Sequence, residues 1–593
     1  MLEEKINNIA NSLDSKNISN SELEAKKLLV QHPYNFDLNN ILGIISVRLN
    51  KLDDALYYFN RCLDIRKDSY STHYNLGIVY NKKYLIDKAI NAYKESININ
   101  PNHFESYFNL GNIFLEKQEF RKAIKNFEEA IKIQKDDFES LNNLGMAFEE
   151  IEENQKSIEC LEKSILLNPQ FFLAYNNLGL VFHKTKFYEK AYINYIKCLE
   201  LKPDFVDALN NLGLLMQDLK RYDEAIKYFE KVLSLDSGYI KTYNNLGNIY
   251  ADLGDFYKAK KYYKESLKID SNYYESIHSL SYIELLEGSF AEGWDHYENR
   301  WLSKNYRDTI RYDLNKNLWD GQYLDGTLLI WSEQGLGDHI FFGRIVKFLS
   351  KLSKRIIFEV DYRLINIFKN FFIKEKINNI HVKSIDNHSS DNNFDKHIPL
   401  GSLAKFFIKT RDDLKNFSND RFSADSNEKQ KILNKLNQYK GLKIGLSWKT
   451  LNKDQDYRSA RLEDLLPLLK LNNCSFFNLQ FGDVNNEINS FNKKYDLNIH
   501  QLDDINNYNE IDKLCALIDS LDLVITIQNT TAHLSGAIGK KTFLLLSKNH
   551  RWHWGVNDKI SYWYPSIRIF RQKFFNNWKD VVDDVLKEIV FNE

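Results

Sequence analysis

Apolar residues in the first half of this 593-residue chain recur at helical spacing, in blocks separated by short polar turns. The blocks themselves repeat. Glycines stand at positions 43, 77, 111, 145, 179, 213 and 247, each 34 residues after the last, and the next step lands on Ser281. Twelve residues after each glycine comes a small residue: Ala55, Ala89, Ala123, Ser157, Ala191, Ala225 and Ala259. Sixteen after it comes a large apolar one: Phe59, Tyr93, Phe127, Leu161, Tyr195, Phe229 and Tyr263. Pro101, Pro169 and Pro203 follow three of the glycines by 24, and Pro33 holds the same register. Because proline is tolerated at helix ends and not inside, this spacing predicts two antiparallel helices per unit. Glycine and alanine are expected where the two helices press together, with the aromatic filling the space between neighbouring units.

This register resembles the tetratricopeptide repeat, a resemblance carried by seven or eight copies in strict phase. It implies stacked units, each touching only its neighbours, wound into a superhelix with a concave inner surface. Cys62 and Cys198 share one repeat position and read as packing thiols. Asn75, Asn109, Asn143, Asn177, Asn211 and Asn245 form a column two residues before the glycines. An amide offers both acceptor and donors, the complement of an extended backbone. The column therefore reads either as a peptide-binding ladder, like that of O-GlcNAc transferases, or as a common structural feature of such repeats. The pattern lapses after Ser281, and the segment from Phe290 to Trp301 reads as a closing helix. The repeat domain is thus expected over residues 1–301. A polar linker follows at 302–326, marked by Asp320-Gly321 and Asp325-Gly326.

From Thr327 the period changes. Short apolar runs at 327–331, 355–360, 379–382, 442–448, 475–479, 523–527 and 542–546 alternate with helical stretches, and a polar segment near 410–435 interrupts them. Alternating strands and helices predict parallel sheets covered by helices. Two Rossmann-like lobes are expected, 327–435 and 436–593, with a ligand outside the carboxyl ends of their strands.

Composition narrows the function classes. Lys plus Arg is 80 against Asp plus Glu 81, a net charge of -1, which argues against nucleic-acid binding or a basic membrane-surface protein. Five cysteines with no C-x-x-C pair argue against a disulfide framework or a zinc module. There is no basic n-region followed by an apolar stretch, and no run long enough to cross a membrane. The expected compartment is a reducing cytoplasm.

Three segments carry candidate chemistry. Glu333-Gln334-Gly335-Leu336-Gly337-Asp338 follows a strand and opens a helix. There Gly335 and Gly337 let backbone approach a ligand, and Asp338 is either a general base or an N-cap. Ser447-Trp448-Lys449 leads through a polar loop to Arg458, placing two cations where a diphosphate would bind, unless both are simply solvated. The acidic triplet Asp454-Gln455-Asp456 in that loop is too short a match to count as a metal site. The third segment is Asn529-Thr530-Thr531-Ala532-His533, where a strand runs into a helix whose first turn suits a phosphate. His533 reads either as a ligand contact or as a satisfied helical polar residue.

In this order, together with Gly445-Leu446-Ser447-Trp448 and Trp563-Tyr564-Pro565-Ser566, these segments resemble the glycosyltransferase family 9 (heptosyltransferase-like) domain over about 327–575. The resemblance implies a GT-B fold working without a metal or other cofactor, with a nucleotide-sugar as co-substrate. It places the base on Asp338. The donor contacts fall on Gly335, Gly337, Ser447, Lys449, Arg458, Thr530, Thr531 and His533. Asn529 departs from the aspartate of many heptosyltransferases, which leaves the donor sugar open. The expectation is inverting transfer of a sugar to a protein or large acceptor recruited by the repeats. The alternatives are a repeat scaffold with an inactive transferase domain, or an enzyme of lipopolysaccharide or surface-glycan assembly.

Overall fold

The structure, a computed structural model, describes residues 2–11, 18–303, 310–315, 317–333, 335–385, 393–417, 420–450, 458–502 and 504–590. Gln334 and the acidic triplet 454–456 lie outside the described residues. The chain forms two compact units, Met1–Thr242 and Tyr243–Glu593, so the division falls inside the repeat array and not in the 302–326 segment.

The first unit is all-helical. Pairs such as Phe36–Arg48 with Leu52–Ile65, and Phe172–Lys184 with Tyr188–Leu201, recur every 34 residues. The glycine column explains the pairing. A Cβ built on Gly77 would sit 2.5 Å from the Tyr93 ring, and one on Gly179 would sit 2.7 Å from the Tyr195 ring. The aromatic thus fills the gap between the two helices of its own unit, where the spacing alone suggested the gap between neighbours. The turns joining paired helices share one backbone conformation. Asn50, Tyr84, Gln118, Glu152, Lys186 and Lys220 all have φ between 56° and 63°. Further along the chain Gly254 and Gly288 take the left-handed position, at 82° and 89°. Left-handed backbone costs about 1–2 kcal/mol for a residue with a Cβ, so packing sets these turns against local preference.

The second unit opens with the last helical segments, including Tyr274–Glu287, Phe290–Tyr297 and a 3-10 turn at Glu298–Leu302. Two parallel sheets follow. The first orders its strands β3-β2-β1-β4, with β1 Leu324–Trp331, β2 Ser353–Val360, β3 Ile380–Ser384 and β4 Lys396–Pro399. The second runs β10-β9-β8-β5-β6-β7. Its strands are β5 Leu442–Ser447, β6 Cys474–Asn478, β7 Ile499–His500, β8 Leu523–Ile527, β9 Thr542–Leu546 and β10 Ile567–Arg571. β8 and β9 are buried at every residue, the signature of a sheet covered on both faces. Each expected run falls on a strand to within one residue at its ends, while the short β4, the two-residue β7 and the edge strand β10 add to the expected set. The polar segment near 410–435 holds the helix Ser426–Leu436, capped by Asp425.

In each sheet the chain order reverses once, between β1 and β4 and between β5 and β8. Loops leave the carboxyl ends of the strands in opposite directions at such a point, which opens a crevice.

Gly179→Ala is expected to destabilise the helical repeats by about 1–3 kcal/mol, because Tyr195 has no room to yield. A lowered denaturant midpoint of the far-UV helical signal reads this; an unchanged midpoint removes the close-approach account.

Candidate functional site

A cavity of about 390 Å³ lies at these switch points, and it gathers the three segments singled out in sequence. Gly335, Gly337 and Asp338 come from the loop after β1 and the helix Leu336–Gly343. Lys449 and Arg458 come from the loop after β5, and Thr530 and His533 from the helix Thr530–Ile538 after β8.

Asp338 is not an N-cap. Gly335 takes that place without a side-chain bond, and Asp338 is the third residue of the helix. Burial pushes its carboxyl up to about 6. The Arg551 guanidinium pulls the other way and Glu333 adds to the rise. Gly335 faces open space, whereas a Cβ on Gly337 would stand 3.0 Å from the His533 ring, a tight contact that would require the ring to give way by a few tenths of an ångström.

Other predicted donor contacts take supporting places. Ser447 and Thr531 are buried and are not among the lining residues. Ser447 donates to Gln480 Oε1 at 3.1 Å and accepts from Asn529 Nδ2 at 2.7 Å. Thr531 lies 3.4 Å from the Ser447 hydroxyl. Lys449 reaches the cavity but is paired with Glu487. Asn529 is the N-cap of its helix, accepting from the Ala532 N–H at 3.3 Å. Its amide nitrogen also donates to Ser447, a bond an aspartate could not make.

Four features escaped the sequence reading. Gln480, fully buried, accepts from the N–H groups of Trp448 and Lys449 at 2.9 Å each and donates to the Lys449 carbonyl at 2.9 Å, which sets the loop after β5. Arg551, His553 and Trp554 line the cavity from the segment after β9. Phe481 and Tyr508, with ring centroids 4.6 Å apart, form another wall, and Arg363 lies over the Tyr508 ring at 4.9 Å. Finally, Arg300 is fully buried and grips Glu333 through two bonds of 2.9 and 3.1 Å. A tryptophan- and histidine-rich stretch, Arg551-Trp552-His553-Trp554, was the available signal for the second of these; nothing in spacing alone points to Gln480 or Arg300.

His533 is buried, its Nδ1 lies 3.2 Å from the Tyr564 hydroxyl, and burial with Arg344 and Arg551 nearby pushes it down to about 3. His553 is pushed well below its usual range by burial and by His533. Both rings are therefore neutral at physiological pH, and the positive charge of the cavity resides on Arg551, Arg458, Arg363 and Lys449.

In the first unit the asparagine column bridges neighbouring repeats. Asn75 donates to Asn40 at 3.4 Å, Asn109 to Tyr74 at 3.4 Å, and Asn143 to Asn112 at 2.9 Å. Asn177 and Asn211 donate to Asn142 and Asn176 at 2.9 and 3.1 Å. In the second unit Asn245 is buried. Among the described residues no cluster of His, Cys, Asp or Glu could hold a metal, and no helix is long and apolar enough to cross a membrane.

Replacing Arg300 with Met leaves the Glu333 carboxylate buried without its partner, at an expected cost of about 3–5 kcal/mol. A thermal midpoint near that of the parent would show that Glu333 does not rely on this pair.

Comparison with known proteins bears on the repeats. Models described as tetratricopeptide repeat match residues 138–171, 170–237 and 204–272, and one described as TPR repeat matches 86–118 and 111–152. Protein FlbA of Caulobacter vibrioides is 26% identical over 314 residues, 50% of this chain and 52% of FlbA. The chain thus spans about half the length of this curated relative. Among solved structures, MamA is 31% identical, covering 28% of this chain and 97% of its own, with a TM-score of 0.26. YrrB, described as a TPR protein with an unusual peptide-binding site, is 16% identical, covering 31% of this chain and 95% of its own, with a TM-score of 0.27. The chain carries a tetratricopeptide repeat array, followed by a domain built on two parallel sheets.

Proposed function

We propose that the second unit is an inverting glycosyltransferase of GT-B type, moving a sugar from a nucleotide-sugar to a protein or other large acceptor that the repeats recruit. One observation carries this reading: a raised carboxyl, Asp338, shares a cavity with Arg551, Arg458 and Lys449 at the first turn of the helix Thr530–Ile538. The cations and the N–H groups of that turn suit a diphosphate. A carboxylate that titrates near 6 is ionised at neutral pH and basic enough to accept a proton.

In this mechanism the acceptor O–H proton passes to Asp338 as the oxygen bonds to the anomeric carbon. The bond from that carbon to the diphosphate oxygen breaks, and its electron pair leaves with the nucleotide. Charge builds on the leaving group, where Arg458, Arg551 and the helix N–H groups stabilise it. Lys449 joins them once it exchanges Glu487 for the phosphate. The half-buried amides of Asn75, Asn109, Asn143, Asn177 and Asn211 suit an extended chain, since each keeps hydrogen-bonding capacity beyond its bridge to the neighbouring repeat. A second reading, a repeat scaffold whose α/β domain no longer transfers, draws on Lys449 and His533 being engaged with Glu487 and Tyr564.

The two readings separate in a thermal-shift series with UDP, GDP, ADP and CMP. The transferase reading expects one nucleotide to stabilise the protein and Arg458→Ala to lose that effect; no stabilisation at millimolar nucleotide favours the scaffold. With the donor so named, kcat/KM is expected to fall about tenfold per pH unit below about pH 6 as Asp338 takes up its proton. Arg551→Ala moves that limb to higher pH, because the guanidinium favours the ionised carboxylate. A limb that stays in place in this variant removes Asp338 as the titrating base.

A further inference from the structure

A second, smaller cavity of about 40 Å³ adjoins the first, and Asp338, Arg551 and His553 line both. Phe342 and Trp552 add two apolar walls, and the rest comes from the last helical segments: His278, Ser281 and Tyr282 lie on the helix Tyr274–Glu287, and Tyr297 on the helix Phe290–Tyr297. In a cavity measured this way one water needs about 10–15 Å³, so the slot has room for a hydroxyl and about two carbons. A sugar ring does not fit.

The walls are fixed. The Tyr282 hydroxyl donates to the His550 carbonyl, and Asn549 donates to Asp252 at 2.7 Å, so residues of the last helical segments brace the stretch that delivers Arg551 and His553. The His278 ring lies against Tyr297, with centroids 6.3 Å apart. Burial and the nearby Arg300 and Arg551 charges hold it neutral, pushed down to about 4. A neutral imidazole has one donor and one acceptor nitrogen, which suits an alcohol.

We propose that His278, carried by the helical repeats, is an acceptor-binding residue: with Tyr282 and Arg551 it closes a slot that seats the reacting hydroxyl against Asp338. This rests on the transferase reading. It gives that reading a direction, with the donor diphosphate in the larger cavity and the acceptor oxygen entering from the repeat side. The size of the slot selects a slender hydroxyl-bearing side chain of a peptide over a hydroxyl set directly on a sugar ring.

The test uses the full chain with UDP-N-acetylglucosamine, GDP-mannose, ADP-glucose and CMP-sialic acid as donors. Acceptors are pools of short serine- and threonine-containing peptides and pools of saccharides, and transfer is read by mass spectrometry. His278→Ala and His278→Phe, the second keeping the ring packed on Tyr297, are compared with the parent for nucleotide binding and for acceptor KM. Both variants are expected to bind nucleotide as the parent does and to show an acceptor KM raised about tenfold or more, the loss of one hydrogen bond to substrate. An unchanged acceptor KM in either folded variant overturns the slot while leaving the transferase reading intact. Transfer to saccharides alone overturns the slot's preference for a peptide side chain. A parent protein that neither binds a nucleotide nor transfers overturns both readings together.

Discussion

A buried guanidinium decides much of the second unit. Arg300, fully enclosed, holds Glu333 by two bonds, donates to Glu298 at 2.8 Å and to the Ser402 hydroxyl at 2.9 Å, and also bonds the Tyr297 carbonyl. Glu333 in turn accepts the Gly401 N–H at 2.8 Å. A charge taken from water is tolerable only when its hydrogen bonds are satisfied in this way. The geometry that satisfies it places the loop after β1, and with it Asp338. The residue that closes the helical repeats therefore sets the position of the carboxylate in the cavity.

The same economy of charge runs through the site. Histidines crowd the cavity, with the His533 and His553 rings 4.9 Å apart, yet burial and neighbouring arginines keep both neutral. They shape the wall and leave the field to the arginines. Asp338 sits in the balance between desolvation and Arg551, and this leaves a carboxyl that is ionised but not inert. Gln480 and Asn529 serve the same end, Gln480 from behind the wall and Asn529 from within the lining: each uses both ends of its amide to tie strand-end loops together.

Much of this was legible in the chain itself. The 34-residue register requires helix pairs because glycine, alanine and an aromatic at fixed offsets have only one good way to interlock, and local spacing is enough to state it. The seven apolar runs of the second half fall on strands for a similar reason, since a buried parallel strand must be apolar on both faces. Gly335, Gly337, Asp338, Lys449, Arg458, Thr530 and His533, read off strand ends, all meet in one cavity. Ser447 and Thr531 were picked out by the same rule but turn inward, because a hydroxyl beside Gln480 and Asn529 is worth more as a structural bond than as a solvated group.

What the sequence determined by itself was therefore the set of elements and the loops that carry polar chemistry, properties that depend on residues a few positions apart. What only the tertiary structure decided was which distant groups share a space. Arg300 with Glu333, Arg551 with Asp338 and His278 with the slot are separated by tens to hundreds of residues, and no periodicity records them. Nor does spacing reveal that the compact units divide at Thr242 and not after the last helix. Burial energies and long-range electrostatics choose among such pairings, and both depend on what the folded chain has removed from water.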